Sequence, residues 1–149
     1  MYHRYLVERW NVRGELELEV ARHADWFAPY ETYWLPTPAR PPAPTIMGLW
    51  EDESGLLWVI GWVGGKNWAR GLASSKLLEG QLAYPIADQQ AVYDGFLEVL
   101  DPVAGELLAS KRFAGTMDLV VSPGVVAGVR EGADGWPYVD VWQVRLQRP

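Results

Sequence analysis

The sequence predicts an all-β chain of antiparallel strands arranged in repeats of four. Short stretches of strand length recur along its 149 residues, most of them closed by turns rich in Gly, Asp or Asn. One stretch, residues 56–63 (LLWVIGWV), is apolar almost without a break, the pattern of a strand covered on both faces. Hairpins with a wet face alternate with hairpins that read as buried.

Residues 5–10 (YLVERW) and 15–20 (ELELEV) form the first hairpin, closed by Asn11-Val12-Arg13-Gly14. In its second strand Leu16, Leu18 and Val20 face inward, while Glu15, Glu17 and Glu19 lie on a solvated side that also discourages edge pairing. Residues 22–44 follow without period, carrying five aromatic side chains and a density of proline that excludes helix interior and central strand. This is a long loop, extended in polyproline style between Pro36 and Pro44. Its aromatics distinguish it from a disordered linker, which is poor in them.

Residues 45–63 make an inner hairpin around the acidic turn Glu51-Asp52-Glu53-Ser54-Gly55, read as hydrated. After Gly64 and Gly65, Asn67 is positioned to cap a short helix from 68 to about 79, stopped by Gly80. Residues 81–94 read as a return loop, so 64–94 is a helical insertion. Residues 96–100 and 106–113 form a second outer hairpin whose GEL at Gly105 repeats the GEL at Gly14. Strands at 117–121, 125–130 and 137–146 complete the chain as a single domain, 1–149.

Composition narrows the function. A net charge of -6 supplies no basic field, so nucleic-acid binding is not expected. The chain has no cysteine, hence no disulfide, thiolate metal site or cysteine nucleophile. No apolar run approaches the roughly 20 residues of a membrane helix. The opening MYHRYLVERW has no uninterrupted apolar core, so no export signal is read and the compartment stays open. Nine tryptophans and seven tyrosines exceed what a core of this size needs, so some are expected to meet a ligand.

The segments GLWEDESGLLWV, FLEVLDPVAGELLASKRF and YVDVWQVRL resemble strand pairs of six-bladed β-propellers. Together they look like the C-terminal portion of bacterial propeller proteins related to the NHL and gluconolactonase types. The resemblance implies a partial propeller of about two and a half blades. It also implies an uncovered apolar blade face, since too few blades are supplied to close a ring. Two outcomes are expected: a homo-oligomer whose copies complete one another's sheets, or collapse into a closed barrel or sandwich.

In such a frame the two long irregular segments emerge on the same end of the sheets, where binding usually resides. They carry Trp26, Tyr30, Tyr33, Trp34, Trp68, Tyr84 and Tyr93, suited to a sugar ring, a peptide or a protein partner. The same residues also fit a satellite core that caps the sheet. The principal reading is therefore a binding or assembly module. The alternative is a hydrolase of an ester, lactone or phosphoester, with or without the assistance of a metal, centred on His23 and Asp25 as general base and orienter or as two metal ligands, with Glu31, Asp94 and Asp118 expected on the same face. His3 is too close to the terminus to be assigned a role. Propellers of the resembled type hold calcium with Glu, Asn and Asp. Here Asp118 alone matches by type, so no cofactor is expected. Ser74 and Ser75 have no nucleophile-elbow context.

Overall fold

Local turn chemistry sets the first strand pairs in the computed structural model, which describes residues 4–27 and 29–147. The Asn11 Oδ1 accepts from the Arg13 and Glu15 backbone N–H groups, and Gly14 takes φ 76°, a conformation glycine adopts at no steric cost. This turn joins β1 (Leu6–Trp10) to β2 (Leu16–Ala21). Asp52 works the same way between β3 (Thr45–Glu51) and β4 (Leu57–Gly64), its Oδ1 accepting from Ser54 and Leu56 N–H. Its Oδ2 accepts from the Trp58 indole at 2.8 Å, and Trp58 stacks on Trp50 with centroids 5.2 Å apart. Glu51 meets Arg9 at 2.9 Å. The acidic turn is thus a fastener of the hairpin as well as a wet surface.

Along the chain follow a 3-10 turn (Trp68–Gly71), β5 (Lys76–Leu78), β6 (Gln81–Ala83) and α1 (Gln89–Val92). β7 (Tyr93–Asp101), β8 (Glu106–Ala114), β9 (Leu119–Ser122), β10 (Val125–Glu131) and β11 (Pro137–Gln143) complete the described elements. All pairs of these strands are antiparallel. They form a two-stranded sheet β1-β2, a four-stranded sheet β3-β4-β7-β8, a three-stranded sheet β9-β10-β11 and a small β5-β6 hairpin.

The four-stranded sheet lies in the middle. Alternation sends Leu57, Val59 and Val63 of β4 to one side, where they pack with Val7, Phe96 and Leu100 beneath β1-β2. Trp58 and Ile60 point to the other side and pack with Leu97, Val99 and Val126 against β9-β10-β11. A strand enclosed in this way has no wet face, which is why β4 reads as continuous hydrophobicity. The chain is therefore all-β, and its sheets of two, four and three strands agree with a partial propeller of one full blade between two incomplete ones. No closed barrel forms among the described residues. No helix there is long and apolar enough to cross a membrane.

Three local expectations are corrected. The helix at 68–79 is absent: the chain makes one 3-10 turn and then the β5-β6 hairpin. Asn67 makes no side-chain cap, and Gly71 lies so close to Asp88 that a Cβ there would stand 2.5 Å from the Asp88 carbonyl oxygen. Glu79 (φ 49°) and Gly80 (φ 80°) form the two-residue turn of that hairpin rather than a helix end. Residues 81–94 carry β6 and α1, the latter capped by the Asp88 carboxylate accepting from Ala91 N–H. Between Pro36 and Pro44 the chain is not continuously extended, because Thr37 and Arg40 exchange backbone hydrogen bonds across a tight turn.

Candidate functional site

The end of β4 brings the two long segments together. Gly64 permits this approach, since a Cβ there would lie 2.7 Å from the Pro41 side chain. The Trp68 indole donates to the Thr37 carbonyl at 2.9 Å, joining the insertion to the 22–44 loop. The same end receives the β10-β11 turn, because Gln90 of α1 donates to the Val129 carbonyl at 3.0 Å. The expectation that the two segments lie side by side is met.

The seven aromatic residues divide into anchors and displayed groups. Trp26 packs on Phe96 with centroids 4.1 Å apart, and Phe27 and Tyr30 extend the cluster. The Tyr30 hydroxyl donates to the Pro44 carbonyl at 3.0 Å, and the Trp34 indole to the Pro41 carbonyl at 2.8 Å. Arg40 covers the Trp34 ring at 3.5 Å, a cation–π contact. Tyr93 is buried against Trp62, and burial first, then its contact with Tyr33, pushes its phenol well above the ordinary tyrosine range. These side chains hold the loop in one shape. Tyr84 is half-buried. Tyr33 and Leu35 stand out from the loop, 48% and 62% exposed, although the Tyr33 hydroxyl is itself engaged with Tyr93.

His23 and Asp25 are placed elsewhere. Both are exposed, and His23 lines a small groove of about 180 Å³ with Leu100, Asp101 and Leu107. Asp94 and Asp101 stand at opposite ends of β7, roughly 23 Å apart at the rise of an extended strand. The expectation that Asp94 and Asp118 share a face with His23 is therefore corrected: the 22–44 loop starts at the far end of the sheet and climbs along it. Asp94 is engaged by Arg112 at 2.7 Å, Glu31 is exposed, and the Asp118 carboxylate accepts from Val129 N–H. The other Asp118 oxygen is buried without a hydrogen-bond partner. No group of three or more His, Asp or Glu placed to hold a metal occurs among the described residues, so the donors present do not fit a calcium site. Ser74 and Ser75 are exposed in irregular chain between the 3-10 turn and β5. His3 lies outside the described residues.

Two features escaped the sequence reading. Glu98, in the middle of β7, is fully buried and accepts from Nε and Nη2 of Arg22, at 2.7 and 3.0 Å, while Ser110 donates to it at 3.2 Å. A lone carboxylate inside FLEVL was the available signal, since such a charge demands a partner. The second is a groove of about 670 Å³ between α1 and the β10-β11 turn, lined by Asp88, Gln89, Arg130 and Glu131 among others. Those residues come from segments distant in the chain and show no common motif.

Tyr5 reaches the buried carboxylate from β1's side, its hydroxyl directed at Glu98 without closing a hydrogen bond of ordinary geometry. Burial first, then the Glu98 charge, raise its pKa well above the ordinary range. A folded-state pKa above the unfolded value favours folding while the phenol is neutral, and that contribution is lost as pH rises past the unfolded value of about 10. Urea midpoints measured across the alkaline range should therefore fall less steeply in Tyr5→Phe than in the native chain. Identical alkaline slopes would remove Tyr5 as a source.

The fold and this face define an all-β antiparallel domain with a loop-built end. Comparison with protein families, curated proteins and solved structures yields no match for the chain.

Proposed function

We propose that the chain is a propeller-derived binding and assembly module whose loop-built end meets a carbohydrate, a peptide or a protein, and which associates with further copies of itself. The observation that supports the binding half is the contrast between anchored and displayed side chains on one loop. Trp34 and Trp68 use their indole N–H groups on the Pro41 and Thr37 carbonyls, while Tyr33 and Leu35 remain exposed beside them. A loop ordered beforehand loses little freedom on binding, so displayed side chains contribute more of their contact energy. Tyr33 offers the exposed part of its ring, its hydroxyl being held by Tyr93.

The test is a screen of the intact chain on glycan and peptide arrays, followed by variants. Any ligand captured at this end should lose roughly tenfold or more in affinity with Tyr33→Ala, the range of an interface hot spot. Trp34→Ala should weaken it as well, by loosening the loop. Ligand binding that survives both substitutions unchanged removes this face as the site.

A further inference from the structure

The outward side of β9-β10-β11 is bare and apolar. Val120 and Val126 of this sheet turn inward to the core, so their sequence neighbours Leu119 and Ala127 turn outward, the small Ala127 lying buried (2% exposed) among larger side chains, while Val121 sits in a β-bulge beside them. Register then places Val141 beside Ala127 and Val139 beside Val129 on that same outward side. Leu119, Val129, Val139 and Val141 are each 44–64% exposed. The polar positions on this side, Ser122 and Gln143 at one end and Glu131 at the other, lie outside its middle.

The outward side of the sheet at the other end of the stack carries a carboxylate pair beside the exposed Trp10, whose indole donates to Glu8 at 3.1 Å. Val7 and Val20 of β1-β2 face the core, so Glu8 and Glu19, direct partners across the pair, face out together and are exposed. Stacking copies head to tail, as ring closure demands, sets this carboxylate pair on the valines. It strips water from two like charges and provides no cation. A two-fold contact avoids that cost, because it sets the apolar side on its own copy and leaves the charges of a -6 chain in water.

We propose that the outward side of β9-β10-β11 is an isologous dimer interface occupied by a second copy of this chain. The proposal rests on the assembly half of the function given above and is independent of any ligand at the loop-built end. Strands of four, seven and seven residues about 4.8 Å apart cover roughly 290 Å² in plan. That is less than the roughly 800 Å² per partner of a standard interface, so the dimer belongs to the weak, concentration-dependent class.

Light scattering and sedimentation equilibrium of the full chain across about 1 to 500 µM, where weak complexes form, should show the mass rising from one chain to two. Val139→Lys combined with Val141→Lys should raise the dissociation constant at least about tenfold, whereas Glu8→Lys combined with Glu19→Lys should leave it unchanged. Because the chain has no cysteine, Val139→Cys gives a second measurement that does not depend on the lysine variant folding. Its oxidation should yield covalent pairs faster than that of Glu19→Cys. A single-chain mass at all concentrations, growth beyond two copies, dissociation by the Glu8 and Glu19 variants alone, or equal cross-linking rates would each overturn the proposal. Tyr33→Ala should leave the mass unchanged, which separates this result from a failure of the loop-face reading.

Discussion

Replacing Arg22 by Ala is expected to lower the unfolding free energy by about 3–5 kcal/mol, because it leaves the Glu98 carboxylate buried without its partner. Glu98 is inaccessible to solvent and Arg22 has only 21% of its side chain exposed, so water does not readily replace the guanidinium. Ser110 remains as a donor but carries no charge. In a chain of this length the loss corresponds to a fall in melting temperature of about 10 °C or more. Calorimetry checks it directly. The double replacement Arg22→Met with Glu98→Leu should recover most of the loss, since an apolar pair of similar volume often substitutes for a buried ion pair. A fall below about 1 kcal/mol for Arg22→Ala would mean that the pair behaves as a surface bridge. Arg22 is also the first residue of the 22–44 loop, so the variant should make that loop more open to proteolysis.

Gly61→Ala carries the other large expectation. A Cβ at Gly61 would lie 2.3 Å from the Thr45 carbonyl oxygen and 2.4 Å from the Phe96 ring. The backbone carbonyl cannot rotate away without breaking the β3-β4 ladder, in which Thr45 and Trp62 are partners. The Phe96 ring cannot withdraw without displacing Trp26, which packs on it. Overpacking of this kind costs about 1–3 kcal/mol, and here the rigid carbonyl pushes toward the upper end or past it. The expected result is a lower denaturation midpoint together with a changed tryptophan emission as the 22–44 loop lifts. An unchanged midpoint would show that β3 shifts freely, and would sever the link drawn here between β4 and the loop.

Gly61 shows how part of the candidate site was hidden. In the sequence it is one small residue inside an apolar strand, and only the register with Phe96 reveals that it leaves room for a ring. The aromatic wealth of residues 22–44 was legible, as was its meeting with the insertion, because topology alone fixes which connections emerge together. Which aromatics are anchored and which displayed was not legible. That division depends on whether an indole N–H finds a carbonyl such as Thr37 or Pro41, and those partners come from turns without a periodic signature. His23 and Asp25 failed to join Asp94 and Asp118 for a related reason: a long loop fixes neighbours in sequence but not the end of the sheet from which it departs.

The sequence by itself determined the strands, the turns at Asn11, Asp52 and Asp101, the double burial of β4 and the grouping of strands into two, four and three. These follow from side-chain period and from polar groups that close a turn within a few residues, both of which are local. Tertiary structure alone decided that residues 68–83 make a turn and a hairpin instead of a helix. It also brought Arg22 to a carboxylate 76 positions away and left one outer sheet face apolar while the other carries a carboxylate pair. Each of these depends on which groups lie across a gap between segments distant in the chain. A buried charge or an uncovered valine is recognised only when its surroundings are known.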